Sequence, residues 1–314
     1  MISIDDVKAA TRRIKGHVRH TPIIVADQLK ADIATDFNLV LKLELLQVTG
    51  SFKARGATNK WLATPPDTLK RGIVAASGGN HGLATARAGA LAGVPTTIFL
   101  PSNASAAKIS KLQAWGAKTI VVGDLWDQSN VAALAFVEET GAAYFHPFAD
   151  PYVVAGQGTV GLEILEQFPE VDTVLVAMGG GGLISGVATA IRALAPKVRI
   201  IGIEATGAPV LLRSIEAGVN CTLPAVTTSV ATMACGRSDD RIFKIVRDKV
   251  DQIVLVDDHE MRAAAQWLWF EMGLAADLSG AAAIAALRAG LITTRPGERI
   301  CAIVCGAGPE ALEG

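Results

Sequence analysis

The stretch TGSFKARGA (49–57) sets one lysine, Lys53, between a phenylalanine and an alanine among small residues. Such an amine is either a solvated surface charge or a nucleophile and base, and the nine residues alone leave both open. Three glycine clusters stand elsewhere, SGGNHG (77–82), GGGG (179–182) and CGAG (305–308), each directly after a run that reads as a strand. Without Cβ atoms, consecutive amides can close around an anion at a helix N-terminus. Gly179, Gly180, Gly181 and Gly182 therefore read as a phosphate cradle. No Gly-Lys-Ser/Thr follows them, which argues against a nucleoside triphosphate. Ile184 takes the place of the third glycine of a dinucleotide fingerprint, so a dinucleotide is not expected either. In SGGNHG, Ser77 and Asn80 have two readings. They cap the helix that follows, or, with His81 and the loop amides, they seat a carboxylate.

The elements that must position these groups alternate. From about residue 70 onward, apolar runs of strand length precede helical patterns: GIVAAS (72–77), TTIFLP (96–101), KTIVVG (118–123), VDTVLVAM (171–178), VRIIGIE (198–204), QIVLVDD (252–258) and RICAIVCGAG (299–308). Strands that are apolar throughout, each followed by a helix, indicate parallel sheets covered on both faces, the α/β class. Over this length the units fit either two open sheets or a barrel. In open sheets the ligand crevice lies beyond the carboxyl ends of the strands, where the three glycine loops would converge. Asp127 is expected to cap the helix of the third unit and Gly141 to end it. FHPFADPYVVAGQG (145–158) interrupts the alternation with Pro147 and Pro151, and marks a crossing between two lobes.

Half of the 314 residues are hydrophobic, 19% are charged and the net charge is −1. That excludes a disordered chain and offers no basic face to nucleic acid or anionic membrane. Cys221, Cys235, Cys301 and Cys305 lack paired C-x-x-C spacing, so reduced thiols are expected. The first residues are charged without an apolar signal core, and no apolar run reaches a membrane span. A soluble cytoplasmic protein is expected. WLWFEMG (267–273), at helical spacing, reads as core or subunit interface, and His17, His20, His146 and His259 are assigned no chemistry.

With a lysine, an asparagine loop and a phosphate cradle in this order, the chain resembles the fold-type II pyridoxal-phosphate enzymes, within them the serine/threonine dehydratase and serine racemase group. SFKARGA resembles that family's Schiff-base segment, SGGNHG its asparagine loop and GGGGL its phosphate loop, and AGQGTVGLEI (155–164) resembles the segment after its crossing. The resemblance implies two open, mainly parallel sheets with helices on both faces, as in the tryptophan synthase β fold. A large domain would take residues 1–60 and 149–314, and a small one 61–148. It also implies a homodimer or higher homo-oligomer and pyridoxal 5'-phosphate as cofactor. Lys53 would hold the cofactor and act as base on the substrate. Phe52 would pack on the ring, Asn80 would bond its phenolic oxygen, and Gly179 to Leu183 would bind its phosphate. Ser77, Gly78, Gly79 and His81 would hold the substrate carboxylate, and Cys305 would face the ring nitrogen. A thiol there leaves the ring largely neutral, which suits loss of a β-leaving group over a long-lived carbanion. The activity implied is dehydration of a β-hydroxy-α-amino acid such as L-threonine or L-serine to a 2-oxo acid and ammonia. Dehydration of a 3-hydroxyaspartate or phenylserine type of substrate, racemisation or β-replacement are the alternatives. A non-catalytic binding protein or a nicotinamide oxidoreductase on the same frame is the reading from another class.

Four positions depart from the group. Gly78 stands where racemases carry a serine as second acid/base, so racemisation from two faces is not expected. Glu204 matches the first carboxylate of the group's metal site, but Val210 takes the place of the second. No Mg²⁺ or Ca²⁺ is therefore expected, and Glu204 reads as a strand-end charge. DLSGA (277–281) replaces E-P-S-G-A, with Asp277 and Leu278 altering the substrate's surroundings. No regulatory domain, and hence no isoleucine feedback, is expected after residue 314.

Overall fold

The computed structural model describes all residues except 32, 34, 35, 103, 125, 311, 313 and 314. Within them the apolar runs become strands β1 (Ile23–Val25), β2 (Asn38–Lys42), β3 (Ile73–Ala76), β4 (Thr96–Leu100), β5 (Lys118–Val121), β6 (Ala143–Tyr144), β7 (Thr173–Ala177), β8 (Arg199–Ala205), β9 (Gln252–Val256) and β10 (Arg299–Ile303). Between them run helices α1 (Ile4–Ile14), α2 (Lys53–Ala63), α3 (Pro66–Leu69), α4 (Asn80–Ala92), α5 (Ala106–Ala114), α6 (Trp126–Thr140), α7 (Pro151–Gln167), α8 (Gly182–Leu194), α9 (Val210–Ala217), α10 (Asp240–Lys249), α11 (Asp258–Met272) and α12 (Leu278–Arg288).

The strands form two open sheets and no barrel. The larger has the order β1-β2-β10-β7-β8-β9, in which β1 is antiparallel to β2 and the other pairs are parallel. The smaller, β5-β4-β3-β6, is parallel throughout. Every residue of β3, β4 and β7 is buried, so both parities of side chain are out of water and helices cover both faces. Local sequence sets the helix ends. Ser3 with Asp6 and Asp257 with Glu260 form capping boxes at α1 and α11. Helix α6 begins at Trp126, so Asp127 lies in its first turn instead of capping it, still at the positive end of the dipole. Gly141 (φ +68°) follows its last residue, as expected.

The chain leaves the smaller sheet through residues 145–150. Asp150 caps α7, accepting from the amides of Tyr152 (2.8 Å) and Val153 (3.2 Å), and Pro151 opens that helix. On α11, Trp267 is buried with its Nε1 donating to Ala31 O (2.8 Å), while Phe270 is 80% exposed. Among the described residues, no helix is long and apolar enough to cross a membrane.

A buried charge cluster anchors α2. Arg55 is wholly buried and grips Glu44, also wholly buried, through Nε and Nη2 at 2.8 Å each. It also grips Glu163 of α7 through Nη1 (2.6 Å) and Nη2 (2.8 Å). Lys42, at the end of β2, donates to Glu163 (2.6 Å), Gln167 (2.9 Å) and Thr21 O (2.7 Å). Burial alone would lower the pKa of Arg55, but the two carboxylates more than reverse it. Removing one partner from such a cluster leaves a bare buried charge and costs about 3–5 kcal/mol.

Candidate active site

Lys53 is the first residue of α2, and the turn before it is fastened to the end of β10. Thr49 takes φ +64°, a left-handed conformation rare for a β-branched residue, and Gly50 follows at φ +80°. That reversal lets Gly50 O accept from Ala307 N (2.8 Å) and pairs Ser51 with Gly306, while Phe52 N donates to Cys305 O (3.2 Å). The Lys53 amine is thereby held beside the Cys305 strand end, 5.2 Å from the Phe52 ring centroid, and donates to Pro147 O at 2.7 Å. The residue keeps some surface open to the cleft, yet its amine is enclosed, and among the described residues no carboxylate pairs with it. Burial lowers its pKa to about 8. The thiols of Cys305 and Cys235 oppose that shift only when ionised, and burial pushes both upward, Cys235 to about 11.

The glycine run follows β7 and opens α8. Gly181 is the N-cap at φ +85°, and a Cβ on Gly180 would overlap the Phe148 ring. The protein's own packing thus requires part of the run, whether or not its amides hold an anion. The first bond within α8 runs from Ser185 N to Gly181 O (3.0 Å). The amides of Gly182, Leu183 and Ile184 therefore lie ahead of the helical ladder, at the positive end of the dipole.

SGGNHG follows β3 and opens α4, and no side chain caps that helix. The capping alternative for Ser77 and Asn80 is therefore set aside. Ser77 Oγ accepts from Gly79 N at 3.3 Å, and Asn80 Nδ2 reaches across to Asp277 Oδ2 at 3.0 Å. His81 is buried, with Nε2 2.8 Å from Phe145 O. A carbonyl only accepts, so Nε2 carries the proton, and Nδ1 is a buried lone pair without a partner. Burial, then the nearby Lys53, lowers its pKa to about 3. This neutral ring cannot donate to a carboxylate, so of His81 only the backbone N–H can serve the role expected of it.

Cys305 is buried at the end of β10 and donates to Ser279 Oγ at 3.7 Å. Asp277 caps α12, taking Ser279 Oγ (2.7 Å) and Gly280 N (2.6 Å) on Oδ1. Glu204 is no solvated strand-end charge: it is wholly buried, accepting from Leu211 N (2.8 Å) and Leu212 N (2.9 Å) at the start of α9. Burial pushes its pKa up to about 7 against those two bonds. Among the described residues, no three His, Cys, Asp or Glu side chains are grouped to hold a metal. Sequence reasoning missed Pro147 O, Phe148, Ser279 and the Arg55 cluster. Pro147 and Phe148, in the proline-marked crossing, and Ser279, within DLSGA, carried a local signal, while the Arg55 cluster carried none.

These residues fit a pyridoxal-phosphate group. An enclosed amine of lowered pKa without an acid partner suits attachment to an aldehyde, and the unladdered amides of α8 suit a phosphate. The hydroxyls of Thr49, Ser51 and Ser185 are buried without partners, polar capacity that the protein alone leaves unused.

Residues 14–306 match the family model described as pyridoxal-phosphate dependent enzyme. The chain is 40% identical to an L-threonine ammonia-lyase of Thermotoga maritima over 287 residues, 91% of this chain and 71% of that protein. It is 38% identical to a serine racemase of Oryza sativa subsp. indica over 283 residues, 90% and 83% of the two chains. The structure of maize serine racemase superposes with a TM-score of 0.92 at 35% identity, covering 97% of this chain and 93% of that one.

Proposed function

Because the chain belongs to the pyridoxal-phosphate dependent enzymes, we propose that it is a dehydratase, or ammonia-lyase, acting on a β-hydroxy-α-amino acid of the L-threonine or L-serine type. The products would be a 2-oxo acid and ammonia. The observation that carries this reading is Lys53, an enclosed amine poised near neutral pH with a carbonyl for partner and, among the described residues, no counter-ion.

When bound, the cofactor supplies the electron sink that draws charge from the substrate's Cα. Lys53 would anchor it and then take the Cα proton on Nζ, for which a midpoint of about 8 is well matched. The amides of Gly179 to Leu183 would hold its phosphate, Phe52 its ring face, Asn80 its phenolic oxygen and Cys305 its ring nitrogen. Ser77 and the amides of Gly78, Gly79 and His81 would seat the substrate carboxylate. Pro147 O would hold the amine in place for that transfer.

Racemisation is the second reading, since serine racemases are among the relatives. Gly78 counts against it: it offers no proton, and a Cβ there would lie 3.1 Å from Leu100 Cδ2, so a serine would crowd the wall behind it. A bulkier or acidic β-hydroxy substrate, of the phenylserine or 3-hydroxyaspartate type, is the close variant of this reading, since DLSGA stands where E-P-S-G-A is usual. We further take residues 1–60 with 149–314, and 61–148, as the two domains, and the enzyme as a cytoplasmic homo-oligomer. The exposed Phe270 beside Trp269 supports self-association.

Keto-acid release across a panel of β-hydroxy amino acids, with chiral analysis of residual serine, tests the function. Release from threonine or serine is expected. Formation of D-serine without keto acid would overturn the elimination reading.

A further inference from the structure

The side-chain alternation of β6 continues past its end, so Tyr144, His146 and Phe148 share one side of the chain while Phe145 is buried on the other. Their rings meet edge to face. The centroids of Tyr144 and His146 are 6.0 Å apart at 78°, and those of His146 and Phe148 are 4.6 Å apart at 90°. The row is prolonged onto α6. Tyr144 Oη donates to Asn130 Oδ1, and Trp126, one turn earlier on that helix, donates from Nε1 to Ala76 O at 2.8 Å.

Both ends of the row meet the site. Ala76 precedes Ser77 of the asparagine loop, and Pro147, between His146 and Phe148, holds the Lys53 amine at 2.7 Å. In a parallel sheet the helices that follow strands begin at the carboxyl edge, so the first turn of α6 shares that edge with the start of α4. Cys235, between α9 and α10, faces the same space. Burial does most to raise its thiol, but the charges of both Lys53 and Asp127 also reach it.

The polar atoms of the row are largely spent within the protein. Trp126 Nε1 and Tyr144 Oη are bonded as above, and His146 Nδ1 accepts two backbone amides, which leaves that ring neutral. Trp126 is nevertheless 36% exposed, so indole surface stays open. Of the charges around the row, Asp150 is paired with Lys60, and Arg241 is divided between Asp239 and Ala149 O. Asp127, among the described residues, pairs with no cation.

We infer that this aromatic row is the subsite for the substituent on the substrate's Cβ, and that it selects an aryl group and rejects a carboxylate. The inference rests on the functional reading above and decides between its close variants: a substrate of the phenylserine type fits, and one of the 3-hydroxyaspartate type does not. An aryl ring against Trp126 buries apolar surface that a methyl leaves in water. A carboxylate there would lose its water with Arg241 already paired and Asp127 repelling it.

Initial rates of keto-acid release by the holoenzyme on L-threo-phenylserine, L-threonine and L-threo-3-hydroxyaspartate test the subsite. Relative to threonine, kcat/KM is expected to be about tenfold higher for phenylserine and about tenfold lower for 3-hydroxyaspartate. Trp126→Ala should cut the ratio of phenylserine to threonine about tenfold, and Trp126→Phe, which keeps a ring, should restore most of it. Asp127→Asn should raise 3-hydroxyaspartate against threonine about fivefold. A wild-type preference for threonine over phenylserine, or a ratio that Trp126→Ala moves by less than about twofold, would overturn the inference. If Trp126→Ala does not fold, the wild-type ranking and Asp127→Asn decide, and an unchanged 3-hydroxyaspartate ratio counts against it. No keto acid from any of the three amino acids would instead sink the functional reading itself, so the two failures are distinguishable.

Discussion

Lys53 and Arg55 stand two residues apart at the start of α2, both with their charged ends enclosed by protein, and the fold treats them oppositely. Arg55 meets two carboxylates in paired hydrogen bonds, and its pKa rises. Among the described residues Lys53 meets one carbonyl and no acid, and burial takes its pKa down to about 8. A compensated buried cation is a structural rivet, while an uncompensated one is reactive, because its neutral form is accessible near physiological pH. The acids repeat the contrast. Hydrogen bonds and charge from Arg55 hold Glu163 below the usual carboxylate range although burial opposes them, while Glu204, lacking a cation, is pushed up to about 7 by burial.

The sharpest way to break the comparison is to exchange the fates of the two cations. Lys53→Ala should reduce turnover about 10⁴-fold or more while moving the unfolding free energy of the apoprotein by less than about 1 kcal/mol. Near-normal turnover would remove Lys53 from the chemistry. Arg55→Met should do the opposite, costing about 3–5 kcal/mol in denaturant unfolding through the bare carboxylates it leaves.

On the acid side, folded Glu204 titrates above its unfolded value. The native state therefore binds more protons between about pH 4.5 and 7 and loses stability as pH rises through that window. Glu204→Gln should remove a loss of about 3 kcal/mol across that window, read from urea midpoints at several pH values. The smallest effect concerns Lys53 in the apoprotein. Its neutral fraction, and with it the initial rate of cofactor uptake, should rise about tenfold from pH 7 to pH 9. A flat profile would show that the amine is not the titrating group.

Much of this was legible in the sequence, because strands buried on both faces are apolar throughout and glycine loops advertise strand ends. The seven runs from GIVAAS to RICAIVCGAG all became strands, and the choice between barrel and open sheets fell to open sheets. The first seventy residues were not legible. Strand β2 ends in Lys42, with Glu44 two residues on, and both charges are wholly buried. Lys42 pairs with Glu163, 121 residues away, and Glu44 with Arg55, which Glu163 also holds, so no local pattern reports the cluster. The same holds for His81, whose ring suggests a ligand until Phe145 O takes its proton, and for Asp277, whose bond to Asn80 spans 197 residues. Residue type signals chemistry, but distant partners decide which atom is free to perform it.

Residues 146–150 are five positions of irregular chain, and much of the site leans on them. His146 Nδ1 accepts from the amides of Phe148 (3.2 Å) and Ala149 (2.9 Å), folding the segment on itself. Pro147 O holds the Lys53 amine, Phe148 walls the glycine run, Ala149 O takes Arg241 Nη2 (3.0 Å), and Asp150 pairs with Lys60 (2.7 Å) while starting α7. Mechanically it is one of two struts between the sheets, the other being the stretch from β2 to β3 that carries α2. A shift of these five residues would carry the acceptor of the Lys53 amine and the wall of the glycine run together.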